Sequence, residues 1–127
     1  GPPGWTAEGG QVSRDTNYAE EGAYAVRIDA VADEARFYQE IELQGGRTYR
    51  LSFSAASAGG AGVTVSAAGE PIGEPVAIDG ALKRYALRFA LPAEVSSGAM
   101  VRAPEFVLSG QGSVVYVDDV KLDVVTE

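Results

Sequence analysis

The chain has 127 residues, 46% of them hydrophobic, and a formal net charge of −8 at pH 7. It contains neither cysteine nor histidine, which excludes disulfide frameworks, zinc–thiolate sites and catalysis of the Ser–His–Asp or Cys–His type. The negative charge argues against nucleic acid and anionic membranes as partners, and the length fits a single domain spanning 1–127.

Alternating apolar and polar residues, separated by turn-forming residues, predict short β-strands along most of the chain. In the clearest case, Leu51 and Phe53 alternate with Arg50 and Ser52. Seven or eight strands at this spacing are typical of an antiparallel β-sandwich or barrel, with one buried and one solvent-exposed face on each strand. In chain order, the predicted strands span 24–28, 37–43, 49–55, 63–67, 76–78, 85–91, 106–108 and 113–124.

The alternation also predicts which side chains form the core, because every second residue of a half-buried strand faces inward. The predicted core residues are Val26, Ile28, Phe37, Ile41, Leu43, Tyr49, Leu51, Phe53, Val65, Leu87, Phe89, Leu91, Phe106, Leu108, Val120 and Leu122.

The last predicted strand contains two consecutive carboxylates, Asp118 and Asp119. Since strand side chains alternate between faces, one of the two is expected to face inward. A carboxylate that faces a core is costly unless it is paired, hydrogen-bonded or bound to a metal. Two interpretations stay open: a bound calcium ion, or aspartates that face solvent and bond to loop amides in a structural role.

Four motifs occur in order along the chain. They are Gly4-Trp5, the segment 22–28 (GAYAVRI), the strand pair 37–43 and 46–53 (FYQEIEL and GRTYRLSF), and the segment 115–122 (VYVDDVKL). Together they resemble the carbohydrate-binding modules grouped around families 4, 9, 16 and 22. These modules are jelly-roll, galactose-binding-like β-sandwiches appended to secreted glycoside hydrolases and other surface proteins.

The resemblance implies a non-catalytic module of an extracellular or cell-surface protein, with other domains of the parent protein as neighbours. The sequence departs from the family pattern at the start of the chain. Family members usually place a strand of the type Asn-Gly-x-Phe-Glu before the Gly-Trp, whereas only Gly1-Pro2-Pro3 precedes it here. Gly1-Pro2 itself resembles the scar left by a tag-cleaving protease. We therefore expect the first strand to be missing, which would leave a sheet edge open.

The resemblance also implies a structural calcium ion that joins the final strand to the loop before segment 22–28. Its expected ligands are the Asp118 side chain together with Glu20 and Gly22 of the Glu20-Glu21-Gly22 loop, partly through carbonyl oxygens. Asp118 is preferred over Asp119 because it matches the family's metal-binding aspartate.

In the resembling modules, the concave sheet binds a polysaccharide or oligosaccharide chain. The corresponding solvent-facing positions are rich in arginine, which favours hydroxyl-rich or acidic glycans over crystalline cellulose. Tyr38 falls near a position where several modules carry an aromatic ring. Trp5 is expected to plug the core, whereas Tyr18 could form the rim of a cleft. The predicted ligand-binding residues are Arg36, Tyr38, Arg50, Arg84, Arg88 and Glu105.

Two functions from different classes fit these patterns. The first is a soluble-glycan-binding module without catalytic activity. The alternative is a structural or adhesive, calcium-stabilised β-sandwich domain of a surface protein with no glycan site, whose arginines pair with neighbouring glutamates. A connected cleft with exposed arginines and an exposed Tyr38 would favour the first function, and a flat face of paired charges would favour the second.

Overall fold

The computed structural model describes residues 4–15, 25–96 and 98–126. It confirms the predicted all-β sandwich, because the regular structure of the described residues consists of antiparallel strands. None of these residues forms a helix that is long and apolar enough to cross a membrane. The strands are β1 (Thr6–Glu8), β2 (Gly10–Asp15), β3 (Ala25–Ala30), β4 (Glu34–Glu42), β5 (Thr48–Ala56), β6 (Ala61–Ala67), β7 (Glu70–Pro71), β8 (Val76–Ile78), β9 (Lys83–Ala90), β10 (Met100–Ser109) and β11 (Val114–Val124).

The strands form two sheets that enclose one core. Sheet A has the order β1–β4–β10–β6–β7, with β8 also pairing with β6, and sheet B has the order β2–β3–β11–β5–β9. Strands that follow one another in sequence often lie in different sheets, so β4 belongs to sheet A and β5 to sheet B. This alternation decides which outer face each predicted site residue occupies.

The open edge expected from the short N-terminal segment is not seen in the described residues. Strand β1 pairs with β4, and β2 pairs with β3, so the segment after Trp5 supplies the strand at one edge of each sheet. The sequence pattern did not reveal β2, because Val12 is the only clearly apolar residue among its six. An edge strand buries little apolar surface, so the polar residues of β2 show no alternation of apolar and polar positions.

Both sheets contribute alternate side chains to the core. Of the predicted core residues, Ile41, Leu87, Phe89, Val120 and Leu122 are partly buried against it, and the others are buried. Phe53 lies among aromatic rings, stacked on Tyr85 at 5.5 Å between centroids and edge-on to Phe106 at 5.1 Å. Trp5 packs against the core and stacks on Phe106 at 5.9 Å, which confirms its predicted role as a plug.

The link between β1 and β2 passes from one sheet to the other at Gly9 and Gly10. Gly9 has φ +71°, a left-handed conformation that glycine adopts without steric cost. At Gly10 a Cβ atom would lie 2.7 Å from Cζ of Phe37 and would also collide with the backbone oxygen of Asp29. The corner therefore fits against the core because it carries no side chain.

We expect Gly10→Ala to lower the free energy of unfolding by about 1–3 kcal/mol, because the added methyl group overpacks the corner. Gly59→Ala is the matched control, since a Cβ atom at Gly59 meets nothing within 4 Å and its φ lies outside the left-handed region. Urea unfolding of both variants measures the difference. Equal stabilities would show that the corner relaxes without cost.

Candidate ligand-binding site

The predicted ligand-binding residues lie on two opposite faces of the sandwich. Arg36 and Tyr38 are on β4 and Glu105 is on β10, so these three belong to sheet A. In contrast, Arg50 on β5 and both Arg84 and Arg88 on β9 belong to sheet B. The prediction of one shared face is therefore wrong. Period-2 alternation identifies the wet side of a strand, but it does not identify the sheet to which the strand belongs.

The outer face of sheet A carries a groove of about 540 Å³ that crosses β4, β10 and β6. Its volume falls within the range of small-molecule sites. The lining residues include Glu34, Arg36, Thr64, Ser66, Gly69, Pro71, Arg102, Glu105 and Val107. We name this feature the sheet A groove.

The floor of the sheet A groove contains a buried carboxylate held between two arginines. Glu105 is 4% exposed, with Oε1 3.5 Å from Nη1 of Arg36 and Oε2 3.3 Å from Nη1 of Arg102. The two arginines extend the network outward, Arg36 to Glu34 at 2.6 Å and Arg102 to Glu8 at 3.6 Å. Burying a carboxylate is tolerable here because two guanidinium groups compensate its charge.

Arg102 covers the ring that was expected to stack on a sugar. Its guanidinium carbon lies 3.9 Å from the Tyr38 ring centroid, and Tyr38 is only 5% exposed. The expectation of an exposed aromatic platform at Tyr38 is therefore wrong for this conformation. The ring instead supports the guanidinium group from below through a cation–π contact.

Arg102 was not predicted as a site residue, because the predicted strand began only at Phe106. In a regular strand, residues 102 and 105 would also point to opposite faces. The strand is irregular at this point: Arg102 pairs with Glu40 and Glu105 pairs with Tyr38, so β10 uses three steps where β4 uses two. This β-bulge brings both side chains to the outer face. Burial lowers the pKa of Arg102, but the hydrogen bond to Glu105 and the negative charges nearby raise it overall. Arg102 therefore stays charged.

The three predicted arginines of sheet B, Arg50, Arg84 and Arg88, have different surroundings. Arg84 donates to the hydroxyl oxygens of Ser54 at 3.2 Å and Ser52 at 2.8 Å, and it forms an ion pair with Asp119 at 2.9 Å. Arg50 and Arg88 lie directly opposite each other on β5 and β9, and both are exposed. These residues form a charged outer surface on the far side of the core from the sheet A groove.

A second bulge places both aspartates of β11 differently from the prediction. Asp118 pairs with Ser54 and Lys121 pairs with Ser52, so one extra residue separates the two outward positions. Asp118 therefore shares the outer face of sheet B with Ser54. The carboxylate of Asp119 contacts Arg84 and lies 3.6 Å from Nζ of Lys121. The inference that one carboxylate must face the core is wrong, because the bulge breaks the alternation on which it rested.

The other predicted metal ligands, Glu20 and Gly22, lie outside the described residues, as does Tyr18. Within the described ranges, no three or more acidic, histidine or cysteine residues are arranged so that they could hold a metal ion. Asp118 is 8% exposed, so it provides a buried carboxylate at the predicted position.

No protein-family model matches the chain, and no curated protein sequence matches it significantly. Similarity is found among solved structures. The CBM22-1 xylan-binding domain from Paenibacillus barcinonensis superposes with a TM-score of 0.75 at 10% identity, covering 98% of this chain and 87% of that chain. The CBM22-1–GH10 modules of Clostridium thermocellum xylanase 10B, complexed with xylohexaose, superpose with a TM-score of 0.76 at 15% identity. This match covers 97% of this chain and 26% of that chain. TmCBM61 in complex with β-1,4-galactotriose superposes with a TM-score of 0.62 at 21% identity, covering 97% of this chain and 90% of that chain.

These similarities confirm that the chain has the jelly-roll fold found in carbohydrate-binding modules of families 4, 22 and 61. The same fold occurs in the enzymatically active domain of a bacteriophage CBA120 tailspike protein, of which this chain spans 20%, and in a Stig cyclase from Fischerella. Since one fold serves binding and catalysis, the function has to be argued from the site.

Proposed function

We propose that this chain is a non-catalytic carbohydrate-binding module of a secreted or cell-surface multidomain protein, and that the sheet A groove binds a soluble polysaccharide chain. The observation that carries the proposal is the buried Glu105 between Arg36 and Arg102 in the floor of a 540 Å³ groove. The fold shared with carbohydrate-binding modules supports the assignment.

The groove offers the groups that sugar hydroxyls need. Each guanidinium carries five N–H donors, and the side chains of Arg36 and Arg102 are each 40% exposed, so donors remain available at the surface. The hydroxyls of Thr64 and Ser66 on the neighbouring strand β6 donate and accept. Pro71 and Val107 supply apolar surface for the C–H face of a sugar ring.

The charge of the groove favours a neutral glycan. Glu8, Glu34 and Glu105 surround Arg36 and Arg102, so three carboxylates face two guanidinium groups. A uronate would bring a further negative charge to a site whose arginines already have carboxylate partners. The acidic glycans that the arginine content favoured are therefore the poorer candidates, because Arg50, Arg84 and Arg88 lie on the other sheet.

Glycoside hydrolysis is a weaker proposal for this groove. The reaction ordinarily uses two carboxyl groups, one as acid and one as base or nucleophile. Both oxygens of Glu105 contact arginine, and Glu34 and Glu8 each pair with an arginine of the same network. Carboxylates held in this way are suited to fixing the arginines.

A structural or adhesive domain remains the second candidate, favoured by the paired charges and by the Arg102 guanidinium that covers Tyr38. Isothermal titration with xylohexaose, β-1,4-galactotriose and an oligogalacturonate separates the two. We expect binding of a neutral oligosaccharide and at least about tenfold weaker binding of the acidic one. A folded sample that binds no member of a broad glycan panel would favour the structural candidate.

A structural calcium ion is a further part of the proposal, with Asp118, Glu20 and Gly22 as the ligands to test. Asp118 fits the role because its carboxylate is buried at the predicted position. When bound, the ion would fasten β11 to the loop before β3. It would play no part in a reaction.

We expect a calcium chelator to lower the melting temperature of the wild-type chain, because an ion that binds only the folded state stabilises it. Asp118→Ala should remove this shift, and Asp123→Ala, which changes an exposed carboxylate of the same strand, should keep it. Differential scanning calorimetry with and without chelator provides the measurement. A wild-type melting temperature that is the same with and without chelator would contradict the proposed calcium site.

A further inference from the structure

A second pocket, of about 430 Å³, opens on the opposite side of the sandwich from the sheet A groove. It lies where the loop after β5 meets the turn before β11, next to the outer face of sheet B. Its lining includes Arg27, Ser57, Gly59, Gln111, Ser113 and Tyr116. We name it the sheet B pocket.

One wall of the sheet B pocket combines an aromatic ring with a fixed cation. Tyr116 on β11 and Arg27 on β3 are cross-strand neighbours, and the guanidinium carbon lies 5.7 Å from the ring centroid. Asp29 holds Arg27 through two nitrogens, with Nε–Oδ2 and Nη2–Oδ1 distances of 3.0 Å each. The hydrogen bond to Asp29 raises the pKa of Arg27, and the same carboxylate balances its charge.

Hydrogen bonds fix the remaining walls of the sheet B pocket. Ser57 is 1% exposed; its hydroxyl donates to the backbone oxygen of Val114 at 2.6 Å, and its N–H donates to the backbone oxygen of Asp79. On the other side, the N–H of Gly112 donates to the backbone oxygen of Ala30 at 2.8 Å. Both connections are therefore tied to the sheets, and the pocket is formed before any ligand arrives.

The space in the pocket comes from an absence of side chains. A Cβ atom at Gly59 or at Gly112 would meet nothing within 4 Å. At Gly59 the backbone also lies outside the left-handed region, so neither packing nor conformation requires glycine there. Gly59 lines the same pocket as Tyr116 and Arg27, and a larger residue there would find open space around its Cβ atom.

From this geometry we propose that the sheet B pocket is a second saccharide-binding site, which takes a short neutral sugar. The Tyr116 ring supplies apolar contact area, and Arg27, Gln111 and Ser113 supply groups that bond hydroxyls. Because Asp29 balances Arg27, the pocket does not select for an anion. The choice of a saccharide rests on the proposed function, whereas the pocket itself is independent of the sheet A groove.

The test is a residue-resolved titration by ¹H–¹⁵N nuclear magnetic resonance. The probes are the methyl glycosides of xylose, galactose and glucose and their β-1,4-linked trisaccharides. We expect saturable shifts of the amide signals of Gly59, Gly60, Gly112 and Ser113, with a dissociation constant that differs from that of the groove amides of Ser66 and Arg102.

Gly59→Tyr should fill the pocket and weaken the affinity measured from the pocket amides at least about tenfold. The affinity measured from the groove amides should stay unchanged. Gly62→Tyr is the matched control, because a Cβ atom at this glycine also meets nothing within 4 Å, and Gly62 lies in β6 of sheet A. Pocket shifts that survive Gly59→Tyr would overturn the proposal.

The outcomes also separate this proposal from the proposed function. Shifts confined to the groove amides would overturn the second site and leave the groove assignment standing. Shifts confined to the pocket amides would support the second site and overturn the groove assignment. No shift with any probe, in a folded sample, would overturn both.

Discussion

Replacing Phe53 with alanine should lower the free energy of unfolding by about 3–5 kcal/mol, the usual cost of truncating a buried phenylalanine. Phe53 is fully buried in the middle of β5, where its ring contacts Tyr85 of the neighbouring strand β9 and Phe106 of the opposite sheet. The cavity would lie between the two sheets, where backbone hydrogen bonds prevent the strands from closing in. A loss of this size is a large share of the roughly 5–15 kcal/mol that stabilises a typical domain.

Phe89→Ala is the matched control for this prediction. Phe89 lies on β9, the outermost strand of sheet B, where it stacks on Tyr49 at 5.6 Å and is only partly buried. Truncating Phe89 should lower the free energy of unfolding clearly less than truncating Phe53, because solvent can reach the space that the Phe89 ring leaves. Guanidinium unfolding followed by tryptophan fluorescence measures both variants. A smaller loss for Phe53→Ala than for Phe89→Ala would contradict the described core.

Glu105→Ala should abolish detectable glycan binding, a loss of at least about tenfold in affinity. Glu105 fixes two arginines in the floor of the groove, and its removal leaves both Arg36 and Arg102 without their buried partner. Arg102 would then lose the carboxylate that anchors it above Tyr38. The donors that a sugar needs would no longer be held in one arrangement.

Glu42→Ala serves as the control for Glu105→Ala, because Glu42 is exposed on the same sheet and does not line the sheet A groove. The Glu42→Ala variant should bind glycan with the affinity of the wild-type chain. Titration calorimetry gives the affinities, and a thermal melt of each variant establishes that it is folded. Unchanged affinity in a folded Glu105→Ala variant would place the glycan site elsewhere.

The sandwich could be predicted from the sequence because its inner strands alternate strictly. Tyr49 to Phe53 and Tyr85 to Phe89 each place every second side chain inward, and the structure shows this arrangement. The edge strand β2 could not be predicted, since it contributes little more than Val12 to the interior. Strong periodicity arises from burial, and edge strands bury too little to show it.

The candidate site was only partly predictable, for two physical reasons. Alternation placed Arg36 and Tyr38 on a wet face, with Glu105 predicted to lie nearby, but it could not separate them from Arg50, which lies on the other sheet. The bulges were also invisible, because an extra residue leaves no mark on composition. One bulge adds Arg102 to the site, and the other lets Asp119 as well as Asp118 face away from the core.

The alternation of consecutive strands between the two sheets has a consequence for the speed of folding. Among the described strands, β2 pairs with the next strand β3 and β6 pairs with β7, while β4, β5, β10 and β11 pair with strands that are distant in sequence. Each distant pairing requires a long loop to close before its contacts form, which is entropically unfavourable. Folds of this kind reach their native state in roughly milliseconds to seconds, whereas helical bundles need microseconds to milliseconds. During that interval the central strands β10 and β11, whose partners all come from elsewhere in the chain, present unpaired backbone groups on both sides.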